Sequence, residues 1–203
     1  PTGNFGNVFA GHCARRMGLP IERLLVASNT NDILTRLIHT GTMTAEEVVP
    51  TLSPSMDIQV SSNLERLMFE LLGANGPATA ELLTDFRASG SASLRPEQHA
   101  ELIAGFAGGR LDDTETLDVI RDIHDSTGML VEPHTAVGIG VARRLRRIDE
   151  TVVTLATAHP AKFPDAVEQA TGVRPPLPAH LADLYERTER VTDLPNDLAT
   201  VED

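Results

Sequence analysis

The sequence predicts an α/β fold: an open, mostly parallel sheet flanked by helices, with an all-helical insertion. Short apolar runs typical of buried strands alternate with segments of helical periodicity near both ends of the chain, while the middle shows helical periodicity alone. We therefore expect an α/β lobe built from residues 1–75 and 128–172 and a helical insertion at 76–127. Residues 173–203 are predicted to be a Pro-rich, acidic tail with one short helix near Leu181.

Composition narrows the classes of function. The chain has 203 residues, 41% of them hydrophobic, which is enough for one good-sized core. A net charge of −12 argues against nucleic acid as a partner, because phosphate backbones need clustered Lys and Arg. No apolar run approaches the ~20 residues of a membrane span. The single cysteine, Cys13, excludes an internal disulfide framework and fits a reducing cytoplasm, so we expect cytoplasmic localisation.

The first lobe begins with a β–α alternation. A helix is predicted over Val8–Met17, ending at Gly18. The apolar run at 24–27 predicts a buried strand, and the periodic segment that starts at Ile33 predicts a second helix that Gly41 closes.

A loop with a brief extended piece near Ile58 is expected over 51–60. Ser62 and Glu65 have the spacing of a capping box, which predicts the start of a third helix. Its apolar stripe is expected in the core: Leu64, Leu67, Met68, Leu71 and Leu72.

Three helices without strands are predicted in the insertion, at 77–86, 96–106 and 114–123. Asp112 and Glu115 have the spacing to cap the third of them. The β–α pattern then resumes with predicted strands at 129–131 and 152–156, separated by a helix that begins near Pro133.

A candidate anion site lies in the first seven residues, PTGNFGN, which run directly into the first predicted helix. Gly3 and Gly6 allow backbone conformations that a Cβ would forbid, so consecutive N–H groups can converge on one point. The helix adds unpaired N–H groups and the positive end of its dipole. Phosphate is the expected ligand of such a loop.

Two further segments follow predicted strands, at the sheet edge where chemistry usually lies in open α/β sheets. Glu132–Gly138 (EPHTAVG) and Thr157–Pro164 (TAHPAKFP) each pair a hydroxyl with an imidazole. His134 and His159 have no Asp, Glu or Cys at ligand spacing and no Gly-x-Ser-x-Gly motif is present, so neither a metal site nor a hydrolase is predicted. Thr157 has two open interpretations: a hydroxyl facing a ring nitrogen, or a helix N-cap.

Lys162 is the only lysine of the chain. Schiff-base chemistry requires a lysine, which makes Lys162 a candidate nucleophile. Nothing near it in sequence would desolvate its amine, so we do not predict that role.

Five segments resemble threonine synthase, in order and at plausible intervals. They are PTGNFGN at 1–7, ASNTNDIL at 27–34, TLSPSMDIQVSSNLERLMF at 51–69, EPHTAVG at 132–138 and ATAHPAKFP at 156–164. The resemblance implies a pyridoxal-phosphate enzyme of the tryptophan-synthase-β-like fold (fold type II) that converts O-phosphohomoserine and water to threonine and phosphate, the final step of threonine biosynthesis. It implies that the cofactor phosphate is cradled by Gly3, Asn4, Phe5, Gly6 and Asn7. It also implies that Thr157 faces the pyridine nitrogen and leaves that nitrogen largely unprotonated.

One departure from the family pattern is the absence of its Schiff-base lysine, which belongs to a Phe-Lys-Asp context. We therefore expect a C-terminal fragment of the enzyme without the catalytic lysine, inactive by itself. The fragment is expected to hold no cofactor, or to hold a phosphate or sulfate in its place. Non-native association or a homodimer through an uncovered apolar face is also expected.

Two alternatives stay open. One is another fold type II pyridoxal-phosphate enzyme, a dehydratase or a β-replacement enzyme. The other is a non-catalytic module that binds phosphorylated ligands or assembles with a lysine-bearing partner.

Overall fold

Nine α-helices and two small sheets make up residues 1–202, the part of the chain that the computed structural model describes. The helices are α1 Gly6–Arg16, α2 Ile33–Thr40, α3 Leu64–Leu71, α4 Gly76–Ser89, α5 Pro96–Gly105, α6 Asp113–Thr127, α7 Pro133–Leu145, α8 Pro164–Thr171 and α9 Leu198–Glu202. The strands are β1 Leu24–Ser28, β2 Thr42–Thr44, β3 Ser91–Ser93 and β4 Phe106–Arg110. Four single 3-10 turns lie at Pro54–Met56, Pro160–Lys162, Ala179–Leu181 and Leu184–Glu186. No helix in this part is long and apolar enough to cross a bilayer.

The central sheet pairs β1 with β4 in parallel, with Val26 opposite Gly108. Successive residues of a strand point to opposite faces. A Cβ on Gly108 would lie 3.1 Å from the Cα of Thr35 in α2, and one on Gly109 would lie 2.9 Å from Val141 in α7. Helices therefore cover both faces of a parallel pair, which confirms the predicted α/β class.

The sequence predicted that the middle of the chain is all-helical, and this prediction is wrong. Its three helices are present as α4, α5 and α6, but the segment also contains β3, which pairs antiparallel with β2, and β4 of the central sheet. The sequence of β4, FAGGR, does not predict a strand, because glycine has a low strand propensity. Both glycines are needed there because α2 and α7 approach closely. The division into lobe and insertion stays a prediction.

Two predicted strands are wrong. Residues 129–131 and 152–156 are irregular, and no backbone–backbone hydrogen bond joins 151–158 to other residues of the described chain. Side chains of the second segment still alternate in exposure, with Val153 81% exposed. A strand exists only as part of a ladder with a neighbour, and within residues 1–202 this segment has none. The sequence analysis also predicted that the chain associates through an uncovered apolar face, and this stays a prediction.

The start of α3 also differs from the prediction. Its buried stripe is confirmed by Leu64, Leu67 and Met68, but Ser62 and Glu65 form no capping box. Asn63 precedes the helix and its N–H donates to the Asn4 carbonyl at 3.0 Å. The entry to α3 is therefore fixed by the N-terminal loop, a contact that a local pattern cannot show.

Other helix ends follow the sequence more closely. Gly41 closes α2 with a φ of 74°, and Asp112 and Glu115 form the predicted capping box of α6. The extended piece expected near Ile58 is absent; the Ile58 N–H donates to the Met56 carbonyl, as in a turn. In the tail, 3-10 turns at 179–181 and 184–186 and the short α9 replace the single helix predicted near Leu181.

Two apolar clusters flank the central sheet. The larger lies between α1, α2, α3, α5 and the sheet; its members include Phe5, Val26, Leu37, Leu67, Met68, Leu102 and Phe106. The smaller joins the sheet to α7 and to the 3-10 turn at 54–56; it consists of Ala27, Met56, Leu111, Val137 and Val141. Residues 1–7 and 51–58 are thus attached to the core at the carboxyl end of β1.

An ion pair fastens the end of α7. Both carboxylate oxygens of Glu150 accept from the Arg23 guanidinium, at 3.0 and 2.8 Å. This pairing, together with the N–H of Arg147, lowers the pKa of Glu150 from 4.5 to about 2. The fold therefore favours the ionised carboxylate, and the resulting stability is present above pH 4.5 and lost as the pH falls towards 2.

Glu150→Gln is expected to lower the melting temperature at pH 7, with the difference from the original protein shrinking steadily below pH 4.5. Thermal denaturation followed by circular dichroism between pH 7 and pH 2.5 measures this. Glu22→Gln is the control, because Glu22 pairs with Arg147 at an exposed position. A Glu150→Gln difference that is constant with pH would contradict the assignment.

Candidate functional site

The N-terminal loop, residues 1–7, lies at the carboxyl end of β1 and ends in the first two residues of α1. The N–H of Thr2 donates to the carbonyl of Ala27 at 3.0 Å. A Cβ on Gly3 would lie 2.9 Å from the Cα of Met56 and 3.1 Å from the carbonyl oxygen of Ser55. Gly3 is therefore required by the close approach of two backbones.

The left-handed residue of this loop is Phe5, with φ 68° and ψ 5°. Neither Gly3 nor Gly6 has a positive φ, so the conformational role predicted for the two glycines is wrong. A bulky residue with this φ is an outlier that its surroundings must hold in place. The ring of Phe5 is 2% exposed and lies 5.9 Å from the ring of Phe106, so burial in the core holds the strained backbone.

The amides of the loop fall into two groups. The N–H of Phe5 donates to Thr2 Oγ1 and that of Gly6 donates to Asn4 Oδ1, both at 2.9 Å. Within residues 1–202 the N–H groups of Gly3, Asn4 and Asn7 have no acceptor, and neither does that of Val8 in the first turn of α1. The cradle that the sequence predicts is therefore narrower, because side-chain oxygens already occupy two of its five amides. Four free N–H groups and the positive end of the α1 dipole remain for an anion.

A buried carboxamide holds the segment beside this loop. Asn29 follows β1 and is 2% exposed. Its Nδ2 lies 2.8 Å from Thr51 Oγ1, 3.0 Å from Ser53 Oγ and 2.7 Å from Asp57 Oδ1. Its Oδ1 accepts the N–H of Asn31. One side chain thus ties residues 51–57 to the end of the sheet.

Asp57 is the second centre of this network. Its carboxylate accepts from the amides of Asn29 and Asn31 and from both the N–H and the hydroxyl of Thr51. Sequence reasoning did not single out these polar residues. For Asn29 and Asn31 a signal was available, because both lie directly after the buried strand β1, where side chains from distant segments meet.

Glu132 caps α7 and is fully buried. Its Oε2 accepts from the N–H and the Nδ1 of His134, at 2.7 and 2.6 Å. Its Oε1 accepts from the N–H and the hydroxyl of Thr135, both at 2.6 Å. Burial alone would raise the pKa of Glu132, but the hydrogen bonds from His134 and Thr135 together outweigh it and hold that pKa below its usual value.

The same contacts fix the tautomer of His134. Its Nε2 accepts the N–H of Ser55 at 3.1 Å, so the ring proton lies on Nδ1, where it is donated to Glu132. The sequence analysis considered acidic neighbours of His134 only as metal ligands, and it did not foresee that Glu132 is a hydrogen-bond partner of this ring. Nε2 is occupied by a backbone donor, and no group of three metal-binding side chains occurs among the described residues.

Thr157 lies against this cap. Its N–H donates to Thr135 Oγ1 at 3.2 Å, and its hydroxyl lies 3.4 Å from Glu132 Oε1. It is not a helix N-cap, since the next turn starts at Pro160 and is capped by the side chain of His159. Of the two interpretations of Thr157, the capping one is excluded.

The N-terminal loop and Thr157 approach each other across α7. A Cβ on Gly138 would lie 2.7 Å from Cδ of Pro1 and 3.0 Å from Cγ2 of Thr154. The start of the loop, the first turns of α7 and the segment 154–157 thus meet at one place. Lys162 is exposed, with its Nζ 5.4 Å from the centre of the Phe163 ring, so it is not desolvated.

Comparisons with known proteins agree with this arrangement. A family model described as "Threonine synthase, C-terminal" matches residues 135–203. The chain is 52% identical to the threonine synthase of Pseudomonas aeruginosa, over 100% of this chain and 44% of that protein. It is 40% identical to the threonine synthase of Corynebacterium glutamicum, over 99% of this chain and 43% of that protein.

Solved structures give the same result. The pyridoxal-phosphate-bound threonine synthase of Brucella melitensis superposes with a TM-score of 0.93 at 47% identity, covering 100% of this chain and 44% of that one. Yeast threonine synthase superposes with a TM-score of 0.87 at 34% identity, covering 93% and 42%. The chain spans less than half the length of these relatives. By sequence and by fold, it belongs to the threonine synthase family and corresponds to a C-terminal part of its members.

Proposed function

We propose that these residues form the cofactor-phosphate side of a pyridoxal-phosphate lyase that converts O-phosphohomoserine and water to threonine and phosphate. The observation that carries the proposal is that the loop of residues 1–7 and the first turn of α1 together have four N–H groups without an acceptor among residues 1–202. The relatives support the reaction by name, and one of them was solved with pyridoxal phosphate bound.

The loop fits the phosphate of this cofactor. It offers only neutral donors, which suit a dianion held next to a helix N-terminus. At Gly3 the backbone of the loop contacts the backbone of residues 55–56, so this side of the phosphate site would be rigid. Asn4 and Asn7 are exposed, so the donors can be reached from solvent.

Each part of the site would have a separate task. Pyridoxal phosphate supplies an electron sink that allows protons and phosphate to leave the substrate. The amides of Gly3, Asn4, Asn7 and Val8 would anchor the cofactor phosphate. Asn29 and Asp57 would keep segment 51–57 in place as the adjoining wall. Thr157 would face the pyridine nitrogen.

The Schiff-base lysine is proposed to come from outside these 203 residues. Lys162 is exposed, and nothing around its amine excludes water from it, as an activated Schiff-base lysine would need. The proposed substrate is O-phosphohomoserine and the proposed compartment is the cytoplasm. The single cysteine, which is free, supports a reducing compartment.

The test uses the full-length protein with pyridoxal phosphate. Release of phosphate and formation of threonine from O-phosphohomoserine are expected, with no turnover of serine or O-acetylserine. Lys162→Arg is expected to keep the activity and the visible absorption of the bound cofactor. The 203-residue chain alone is expected to show no turnover.

Turnover of serine or O-acetylserine in place of O-phosphohomoserine would favour a dehydratase or a β-replacement enzyme. Binding of the cofactor without turnover of any of these substrates would favour a non-catalytic module. Loss of cofactor absorption in Lys162→Arg would overturn the assignment of the lysine.

A further inference from the structure

The 3-10 turn at Pro54–Met56 carries the backbone against which Gly3 packs. A Cβ on Gly3 would lie 2.9 Å from the Cα of Met56 and 3.1 Å from the carbonyl oxygen of Ser55. Two backbone hydrogen bonds, of 3.0 and 3.1 Å, close the turn. Because hydrogen-bond geometry in a 3-10 turn is poor, so short a turn depends on contacts with the rest of the fold. Whatever holds this turn therefore also holds the N-terminal loop.

The middle of the turn is held by a side chain from a distant segment. The first N–H groups of a helical turn have no acceptor within it. That of Ser55 donates instead to Nε2 of His134, at 3.1 Å. Asn29 binds Ser53 and Asp57, which lie on either side of the turn. His134 thus supplies the fixing contact between them.

The ring of His134 is itself held in one orientation. Its Nδ1 donates to Glu132 Oε2 at 2.6 Å. Its centre lies 4.6 Å from the centre of the Phe163 ring, and the residue is 5% exposed. It stands in the first turn of α7, where residues 133–138 are all buried. A buried ring with both nitrogens in hydrogen bonds passes the position of α7 on to the turn at 54–56.

We propose that His134 is a positioning residue for the cofactor phosphate: through the N–H of Ser55 it holds the turn at 54–56 against Gly3, and so fixes the loop whose amides would bind the phosphate. This inference rests on the proposed function and adds to it a residue that acts through a backbone amide. The physical reason is preorganisation. N–H groups bind an anion tightly when their directions are already fixed, because binding then does not have to order the loop.

Two substitutions separate the two hydrogen bonds of the ring. The side-chain oxygen of glutamine can lie where Nε2 lies, so His134→Gln keeps an acceptor for the Ser55 N–H and loses the donor to Glu132. The side-chain amide of asparagine can lie where Nδ1 lies. His134→Asn therefore keeps the donor to Glu132 and leaves the Ser55 N–H without its acceptor.

The measurement compares pyridoxal phosphate with pyridoxal, which lacks the phosphate. Equilibrium dialysis with the full-length protein gives both dissociation constants, and the value for pyridoxal divided by that for pyridoxal phosphate isolates the contribution of the phosphate. His134→Asn is expected to lower this ratio at least about tenfold, and His134→Gln to leave it within about twofold of the original protein. A purely structural role would weaken both ligands alike and leave the ratio unchanged.

His99→Asn is the matched control. His99 Nε2 lies 2.8 Å from the carbonyl oxygen of Ile38, so this substitution removes a hydrogen bond of the same ring atom that is made to α2. The ratio is expected to stay unchanged. If His134→Asn does not fold, the nitrogen-15 shifts of His134 in the original protein take its place. An unprotonated Nε2, together with a retained ratio in His134→Gln, supports the proposal; a protonated Nε2 cannot accept from Ser55 and overturns it.

An unchanged ratio in His134→Asn would overturn the proposal, and so would an equal fall in His134→Asn and His134→Gln, because the bond to Ser55 would then not fix the phosphate site. Failure of the proposed function is a separate outcome. An original full-length protein that binds no pyridoxal phosphate refutes the function and the inference together. One that binds it and forms threonine, but keeps its ratio in His134→Asn, refutes the inference alone.

Discussion

Asn29→Asp is expected to destabilise the fold by about 3–5 kcal/mol at pH 7, the cost of a buried charge without a partner. The new carboxylate would stand 2.7 Å from Asp57 Oδ1, where the Asn29 amide now donates. It would also lose its donated hydrogen bonds to Thr51 and Ser53. The free energy of unfolding, measured by urea denaturation, reports this loss.

The same substitution should make the stability of the variant depend on pH. A carboxyl beside another carboxylate has a folded pKa raised above its unfolded value of about 3.9. The stability of the variant is therefore greatest when the group is protonated, and is lost as the pH rises through the folded pKa. Part of the deficit should be recovered at pH 5.

Asn75→Asp is the matched control for this prediction. Asn75 caps α4 with an exposed side chain, and aspartate caps a helix equally well. It should leave the stability almost unchanged. If Asn29→Asp costs no more than this control, Asn29 does not organise segment 51–57.

An alanine at position 3 is expected to cost about 1–3 kcal/mol of stability, the usual range for overpacking. It is also expected to weaken cofactor binding at least about tenfold, or about 1.4 kcal/mol. Its Cβ would lie 2.9 Å from the Met56 Cα, and neither backbone can yield without moving the loop. Thermal denaturation and equilibrium dialysis of pyridoxal phosphate with the full-length protein measure the two effects.

Gly6→Ala is the control within the same loop. Its Cβ would meet the Asn4 side chain at 3.2 Å, and that side chain is exposed and can turn away. Stability and cofactor affinity close to those of the original protein are expected. Equal losses in Gly3→Ala and Gly6→Ala would show that the loop tolerates no Cβ anywhere, and that close contact with Met56 is not the reason.

How far the sequence predicts an element depends on where its cause lies. The helix α3 was predictable because its stripe of leucines and methionine repeats along a single helix. Strand β4 was not, because its glycines reflect the approach of α2 and α7, which are distant in sequence. The predicted strand at 152–156 has the right alternation, but among the described residues it has no neighbour to pair with.

The candidate site divides in the same way. A loop of small residues before a helix predicted an anion cradle, and this stays a prediction; four amides there have no acceptor among residues 1–202. The backbone conformation was assigned to the wrong residue: Phe5 takes the left-handed angles because the core captures its ring. Glu132 was named only as the start of a motif, and its partnership with His134 and Thr157 was not foreseen.

The sequence by itself determined helices α1 to α7, the α/β class and the position of the loop before α1, because these follow largely from patterns a few residues long. Tertiary structure alone decided which polar groups meet. Asn29 reaches Asp57 across 28 positions, and Ser55 reaches His134 across 79. Such pairs form only when the packing of the sheet and α7 brings distant segments together, and no local pattern encodes that packing.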